Sequence, residues 1–417
     1  MTLRCKPGQR IALMSMLVLL QWTFLLPGQD WPQWRGPGRD GVIQGFAEPK
    51  AWPESLQQKW RVNVGIGYSS PLLVKDKVYV FTRQGEQEAV SCLDFETGRL
   101  IWRDGYDAPY TVNPVAARHG RGPKSTPVYD SGRLYTLGIS GILSCYDAEK
   151  GRVLWRREFA SEYRSTSPLY GAAMSPVVER GLLIAHVGGN DSGALMGFDA
   201  LTGKTKWAWN GDGPAYASPI IVELGGSRQI VTQSQKYIVG ISPADGTLLW
   251  SIPFTTPYVQ NIVTPVLYRQ TLIFSGLQNS VIAVRLQNNS GTWKSEKVWE
   301  NTDVSFYMST PVRNGDILFG MSNKRKGQFV ALDAQTGKTL WSAEGRAGDS
   351  AAVLTAGGKV FFLTNDATLI VARAVGTGFD EVRRYTVAPA PTWAHPVFAG
   401  KRILIKDAET LASWSFE

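Results

Sequence analysis

The chain has 417 residues, of which 43% are hydrophobic and 19% charged, so it is too apolar for a disordered protein and long enough to bury a large core. Its net charge is +9, but no Lys/Arg run exceeds Lys324-Arg325-Lys326, which excludes the clustered basic stripe of a nucleic-acid binder. Forty-three Gly, 23 Pro and 15 Trp predict many short strands and turns rather than long helices.

Residues 1–28 read as a secretory signal. Arg4, Lys6 and Arg10 precede an apolar stretch from Ile11 to Leu26. That stretch is about 16 residues, short of the ~20 that a spanning helix needs, although an uncleaved anchor is the alternative. In that case this segment is the chain's contact with the membrane. Cys5 lies before the apolar stretch, so nothing resembles a lipobox. The expected location is therefore periplasmic or secreted. Residues 29–58 form a Trp/Pro/Gly-rich extension, opening Asp30-Trp31-Pro32-Gln33-Trp34-Arg35-Gly36-Pro37, whose two indoles are expected to dock on the body.

From Trp60 onward two units alternate. The first is Ser/Thr-Pro followed by an apolar strand: Ser70-Pro71, Thr126-Pro127, Ser175-Pro176, Ser218-Pro219, Thr264-Pro265, Thr310-Pro311 and, in the same form, His395-Pro396. Ala351-Ala352-Val353 stands in where proline is lost. Proline is tolerated at the opening residue of a strand because no ladder hydrogen bond is lost there. The second unit is an Asp-x-x-Thr-Gly turn leading to Trp, as in Leu93–Trp102 and Leu332–Trp341. Asp hydrogen-bonds its own backbone, and Gly takes the positive φ. Asp94, Asp147, Asp199 and Asp333 occupy one place in this turn, which makes them backbone caps rather than an acid–base set.

Strand, turn, strand, loop, strand, turn and Trp-bearing strand recur at a period of about 45 residues, the signature of a propeller blade. The outer strands carry Trp60, Trp102, Trp155, Trp207, Trp250, Trp299 and Trp341, with Tyr385 in the eighth place. Residues 59–417 are thus expected to form an all-β, eight-bladed β-propeller of four-stranded antiparallel blades. The last unit stops after three strands, near Trp414, and the orphan strand at Trp60 supplies its fourth. N- and C-terminal strands share one blade, which removes exposed sheet edges. Cys92 and Cys145 hold equivalent places in consecutive units, too far apart to bridge if blades stack face to face, so both are expected to be buried free thiols.

Chemistry is less legible. His119, His186 and His395 have no second ligand at metal spacing, and His186 reads as a strand residue. The chain carries no Gly-x-Ser-x-Gly elbow, phosphate loop or Cys-x-x-Cys, so no catalytic or metal-binding residue is assigned. The loops entering the Ser/Thr-Pro units should gather at one mouth of the channel. They bring Tyr68, Tyr170, Tyr216, Tyr258, Tyr307 and Trp393, with Arg118, His119, Arg121 and Lys124 from the longest loop. Such a funnel can stack and charge-pair a planar anion, or grip an extended peptide. It can equally be side chains that plug the channel.

The Leu-Asp-x-x-Thr-Gly-x-x-x-Trp repeat resembles that of the pyrroloquinoline quinone (PQQ)-like propellers. One branch, the quinoprotein alcohol dehydrogenases, binds PQQ and calcium. The other, BamB-like branch is non-enzymatic; its best-known member is a scaffold lipoprotein of the outer-membrane β-barrel assembly machinery. The chain lacks the dehydrogenases' adjacent cysteine pair, and their calcium ligands find no match. The resemblance therefore implies an exported binding or scaffold propeller for protein partners at the cell envelope, with no cofactor. The alternative is a PQQ-dependent oxidoreductase with an atypical site that holds PQQ and calcium.

Overall fold

The computed structural model describes Met1 and residues 30–417; the expected signal segment lies outside the described residues. The chain forms eight four-stranded antiparallel sheets arranged as a propeller. We number the blades by their innermost strands: Leu72–Val74, Val128–Asp130, Val177–Glu179, Ile220–Leu224, Val266–Tyr268, Val312–Asn314, Ala351–Ala356 and Val397–Ala399. Blades 1 to 7 are each continuous in sequence. Blade 8 takes its outer strand, Gln57–Asn63, from the N-terminal side, and this strand pairs with Thr410–Ser415 from Gln57↔Ser415 to Asn63↔Thr410. The expected closure is therefore the observed one. Helix among the described residues amounts to three short 3-10 turns.

The repeat turn forms as its residues dictate. Asp333 Oδ1 accepts from the Thr336 backbone N–H at 2.7 Å and its hydroxyl at 2.9 Å, while Gly337 sits at φ +73°. Asp94 and Asp199 repeat the pattern with Thr97 and Thr202. Hydrogen bonds from the threonine hydroxyls hold these two carboxyls below the usual carboxylate range. Where the next blade carries the turn, the Trp crosses to it. The indole N–H of Trp60 donates to Phe95 O, Trp102 to Ala148 O, Trp155 to Ala200 O, Trp207 to Pro243 O and Trp299 to Ala334 O, at 2.9–3.2 Å. Its ring lies against the turn glycine of that blade: Gly98, Gly151, Gly203, Gly246 or Gly337. The motif fixes one blade to the next.

Around the channel the Ser/Thr-Pro units join in a second circuit. The backbone N–H of Ser70 donates to Thr126 Oγ1, that of Thr126 to Ser175 Oγ, Ser175 to Ser218 Oγ, Ser218 to Thr264 Oγ1 and Thr264 to Thr310 Oγ1, all at 3.0–3.2 Å. His395 N–H donates to Ser70 Oγ at 2.9 Å, and the run is interrupted at blade 7, where Ala351 N–H donates to Ser309 Oγ instead. The Ser or Thr hydroxyl before the proline is thus the acceptor for its neighbour, and proline is a spectator.

Residues 31–43 lie across the inner strands and the Ser/Thr-Pro units that open them. Trp31 bridges Leu73, Pro32 O accepts from Tyr129, and Thr355 exchanges hydrogen bonds with Gly41 and Ile43. Two buried guanidiniums hold this strap down. Arg35 donates to Thr310 O and Pro311 O at 2.8 Å; Arg39 donates to Ser175 O, Pro176 O and Pro219 O at 2.9–3.0 Å. Trp31 is buried, and Trp34 meets His395 edge-on at 5.6 Å. Cys92 and Cys145 are free and buried in separate clusters, where desolvation pushes each thiol up to about 12.

Candidate functional site

The loops that lead into the Ser/Thr-Pro units enclose a cavity of about 550 Å³ at the channel mouth. Every inter-blade loop except that between blades 6 and 7 lines it. The loop into blade 1 gives Tyr68; the 1–2 loop gives Val115, Ala116, Arg118, His119 and Lys124; the 2–3 loop gives Tyr170 and Ala173. Tyr216, Gln260, Ile262, Tyr307, Met308 and Trp393 complete the wall.

The 1–2 loop dominates because it folds. Asn113 caps a 3-10 turn, Pro114–His119, by accepting from Val115 N–H. Beyond it, Pro123 O accepts from the backbone N–H groups of Tyr68 and Ser69, and Lys124 Nζ donates to Tyr170 O at 2.7 Å. Arg118 reaches Asp349 in the 6–7 loop at 3.6 Å, so the turn spans the mouth.

The wall stacks ring on ring. His119 meets Trp393 edge-on at 4.6 Å, Arg118 lies 5.7 Å from the Trp393 ring, Tyr68 is 6.3 Å from Trp393, and Tyr170 is 5.9 Å from Tyr216. Tyr307 donates to Gln260. Burial lowers Lys124 to about 8. Burial, then repulsion from Lys124 and Arg118, lowers His119 to about 4, leaving the imidazole neutral near pH 7. Its Nε2 accordingly accepts from Arg118 Nε at 3.2 Å. Desolvation raises the Tyr307 phenol to about 12.

Eight of the ten residues singled out from sequence meet here. The other two do not line the cavity. Arg121 turns to Glu86, 2.7 Å away at the tip of a blade 1 hairpin, and Tyr258 is 72% exposed on a left-handed backbone. Gln260, Ile262 and Met308 carry no charge or large ring to single them out, and only their place in the same loops points to them. His186 is buried in its strand, with Nε2 3.1 Å from Asp212 O. Among the described residues, no group of three or more His, Cys, Asp or Glu is placed to hold a metal ion. The wall offers aromatic faces and N–H and O–H donors, but no carboxylate.

Fold and repeat together define an eight-bladed propeller of the PQQ-like repeat class. The sequence model described as "Outer membrane protein assembly factor BamB" matches residues 86–343 and again 311–380, and the chain belongs to that family. Among its relatives, the BamB of Shewanella oneidensis is 23% identical over 58% of this chain and 61% of its own length. The dehydrogenase subunit of the quinone alcohol dehydrogenase of Acetobacter aceti is 25% identical over 76% of this chain, but over only 46% of its own length. The crystal structure of BamB from Moraxella catarrhalis superposes with a TM-score of 0.60 at 16% identity, covering 86% of this chain and 99% of that one. At that identity the superposition speaks to the fold alone.

Proposed function

We propose that this chain is an exported, non-enzymatic propeller that binds or scaffolds protein partners at the cell envelope, with a periplasmic or secreted location. The family match carries this reading, because it runs over most of the blades. The channel mouth suits it: a wall of rings and N–H and O–H donors presents a surface for contact.

The quinone alcohol dehydrogenase relative favours a second reading, a PQQ-dependent oxidoreductase. The residues fit half of that cofactor pair. Trp393 and the tyrosines suit a flat ring, and Arg118 and Lys124 suit its negative charge. Calcium takes six to eight oxygen ligands, carboxylates prominent among them, and the wall has none to give. We derive no reaction through it.

Two experiments on the purified protein separate the readings. Recovery of a defined set of envelope proteins by pull-down, lost on disrupting the propeller, is the expected result. Saturable binding of PQQ with calcium, coupled to dye-linked alcohol oxidation, would overturn the scaffold reading.

A further inference from the structure

We propose that the channel-mouth cavity binds an aromatic carboxylate, with Lys124 as its counter-charge in place of a metal ion. The inference starts from the misfit between an aromatic, cationic wall and the absence of calcium-type ligands in it. It does not depend on the scaffold reading.

Three basic side chains line the cavity, and they are not equivalent. Arg118 is shared with Asp349 at the rim, and His119 is held neutral by burial and by its cationic neighbours. Lys124 is different. Its ammonium has three N–H donors, of which one goes to Tyr170 O at 2.7 Å, a neutral partner. Desolvation alone sets its acidity; no carboxylate acts on it. A desolvated cation without a counter-ion is a costly arrangement, and an incoming anion relieves that cost through a charge-assisted hydrogen bond.

The walls say what the anion is attached to. Trp393, braced by His119 and Tyr68, faces a space also lined by the Tyr170–Tyr216 pair. A volume of about 550 Å³ lies within the range that holds ligands of drug size, so a molecule of two fused rings fits. A flat ring gains from stacking, while an inorganic anion would leave those faces uncovered.

Naphthalene-2,6-dicarboxylate is a suitable probe, with the neutral 2,6-dicarboxamide as its control, titrated by ligand fluorescence with EDTA present. The expected result is saturable binding of one dicarboxylate per chain, at least about tenfold tighter than the diamide, unchanged by EDTA or added calcium. Lys124→Met should abolish the preference over the diamide, and Lys124→Arg should keep part of it, each with the thermal midpoint checked. Affinity should hold from pH 6 to 7 and fall as pH rises through about 8, where the free ammonium loses its proton. Equal affinity for the diamide, binding that needs calcium, or no saturable binding to the wild-type protein would each overturn the proposal. None of these results bears on envelope-protein capture, so the two readings fail separately.

Discussion

A Cβ added at Gly337 would lie 2.3 Å from Cε3 of Trp299, on a backbone already at φ +73°. Left-handed strain and overpacking then act together, and Gly337→Val should cost about 2–4 kcal/mol in chemical denaturation. Gly291, also at positive φ but with nothing within 4 Å of its Cβ position, should cost about 1 kcal/mol as alanine. Equal losses would show that the indole contact does not matter. Buried histidines set the acid limit. Burial depresses His186 to about 4 and His395 to about 3, against an ordinary 6.5. The unfolded chain therefore takes up protons at these rings from pH 6.5 downward while the folded chain does not, so stability is lost as pH falls toward 4. Each contributes on the order of 3 kcal/mol. Buried Glu88, raised by desolvation, works the other way and offsets part of the loss. His186→Gln should flatten the profile of thermal midpoint against pH between 6.5 and 4; an unchanged slope would refute the assignment.

At the scale of strands and turns, the informative places are those where the repeat fails. Blade 5 lacks the Asp-Gly turn, and Trp250, which would dock there, donates instead to Gln229 Oε1 of its own blade at 2.5 Å. Blade 7 lacks the turn as well, yet Val375 O receives Trp341 at 2.9 Å. Tyr385 has no indole and donates to Pro53 O of the N-terminal extension at 3.0 Å. Trp155→Phe should leave Ala200 O unpaired and cost about 1–3 kcal/mol, with Thr126→Val costing a similar amount by orphaning the Ser70 N–H. A near-zero change in both would mean that blade contact is apolar packing alone. The blade count and the closure at Trp60 were legible because strand period, turn residues and Trp spacing are local signals. The hydroxyl circuit was not. Its Ser/Thr-Pro motif is visible, but which group accepts from a residue some 45 positions away leaves no mark on local sequence. Arg121 and Tyr258 stand apart from the cavity for a similar reason. Loop membership can be read from sequence, but the direction of a side chain within the loop cannot.

For the molecule as a whole, the strap at residues 31–43 concentrates the most connection in the fewest residues. It touches every blade except blade 5 through Leu73, Tyr129, Ser175, Pro219, Thr310, Thr355 and His395. Arg39→Met would leave three buried carbonyls without their donor, a loss of about 3 kcal/mol or more. Lys236→Met, which removes an exposed ion pair with Asp191 at 3.3 Å, should cost under about 1 kcal/mol. Comparable losses would argue against a clamping role for Arg39.

The shared eighth blade also has a consequence in time. Strand Gln57–Asn63 leaves the ribosome long before its partner Thr410–Ser415, with seven blades made between them. Pairing them closes a loop that spans seven blades, an entropic cost met only after the intervening blades have formed. Refolding should therefore show early, local blade formation followed by a slow phase. A truncation before Thr410 should populate an open, partly ordered chain with a bare sheet edge, prone to aggregation. A circular permutant that joins the ends and restarts between blades, making all eight continuous, should lose that phase.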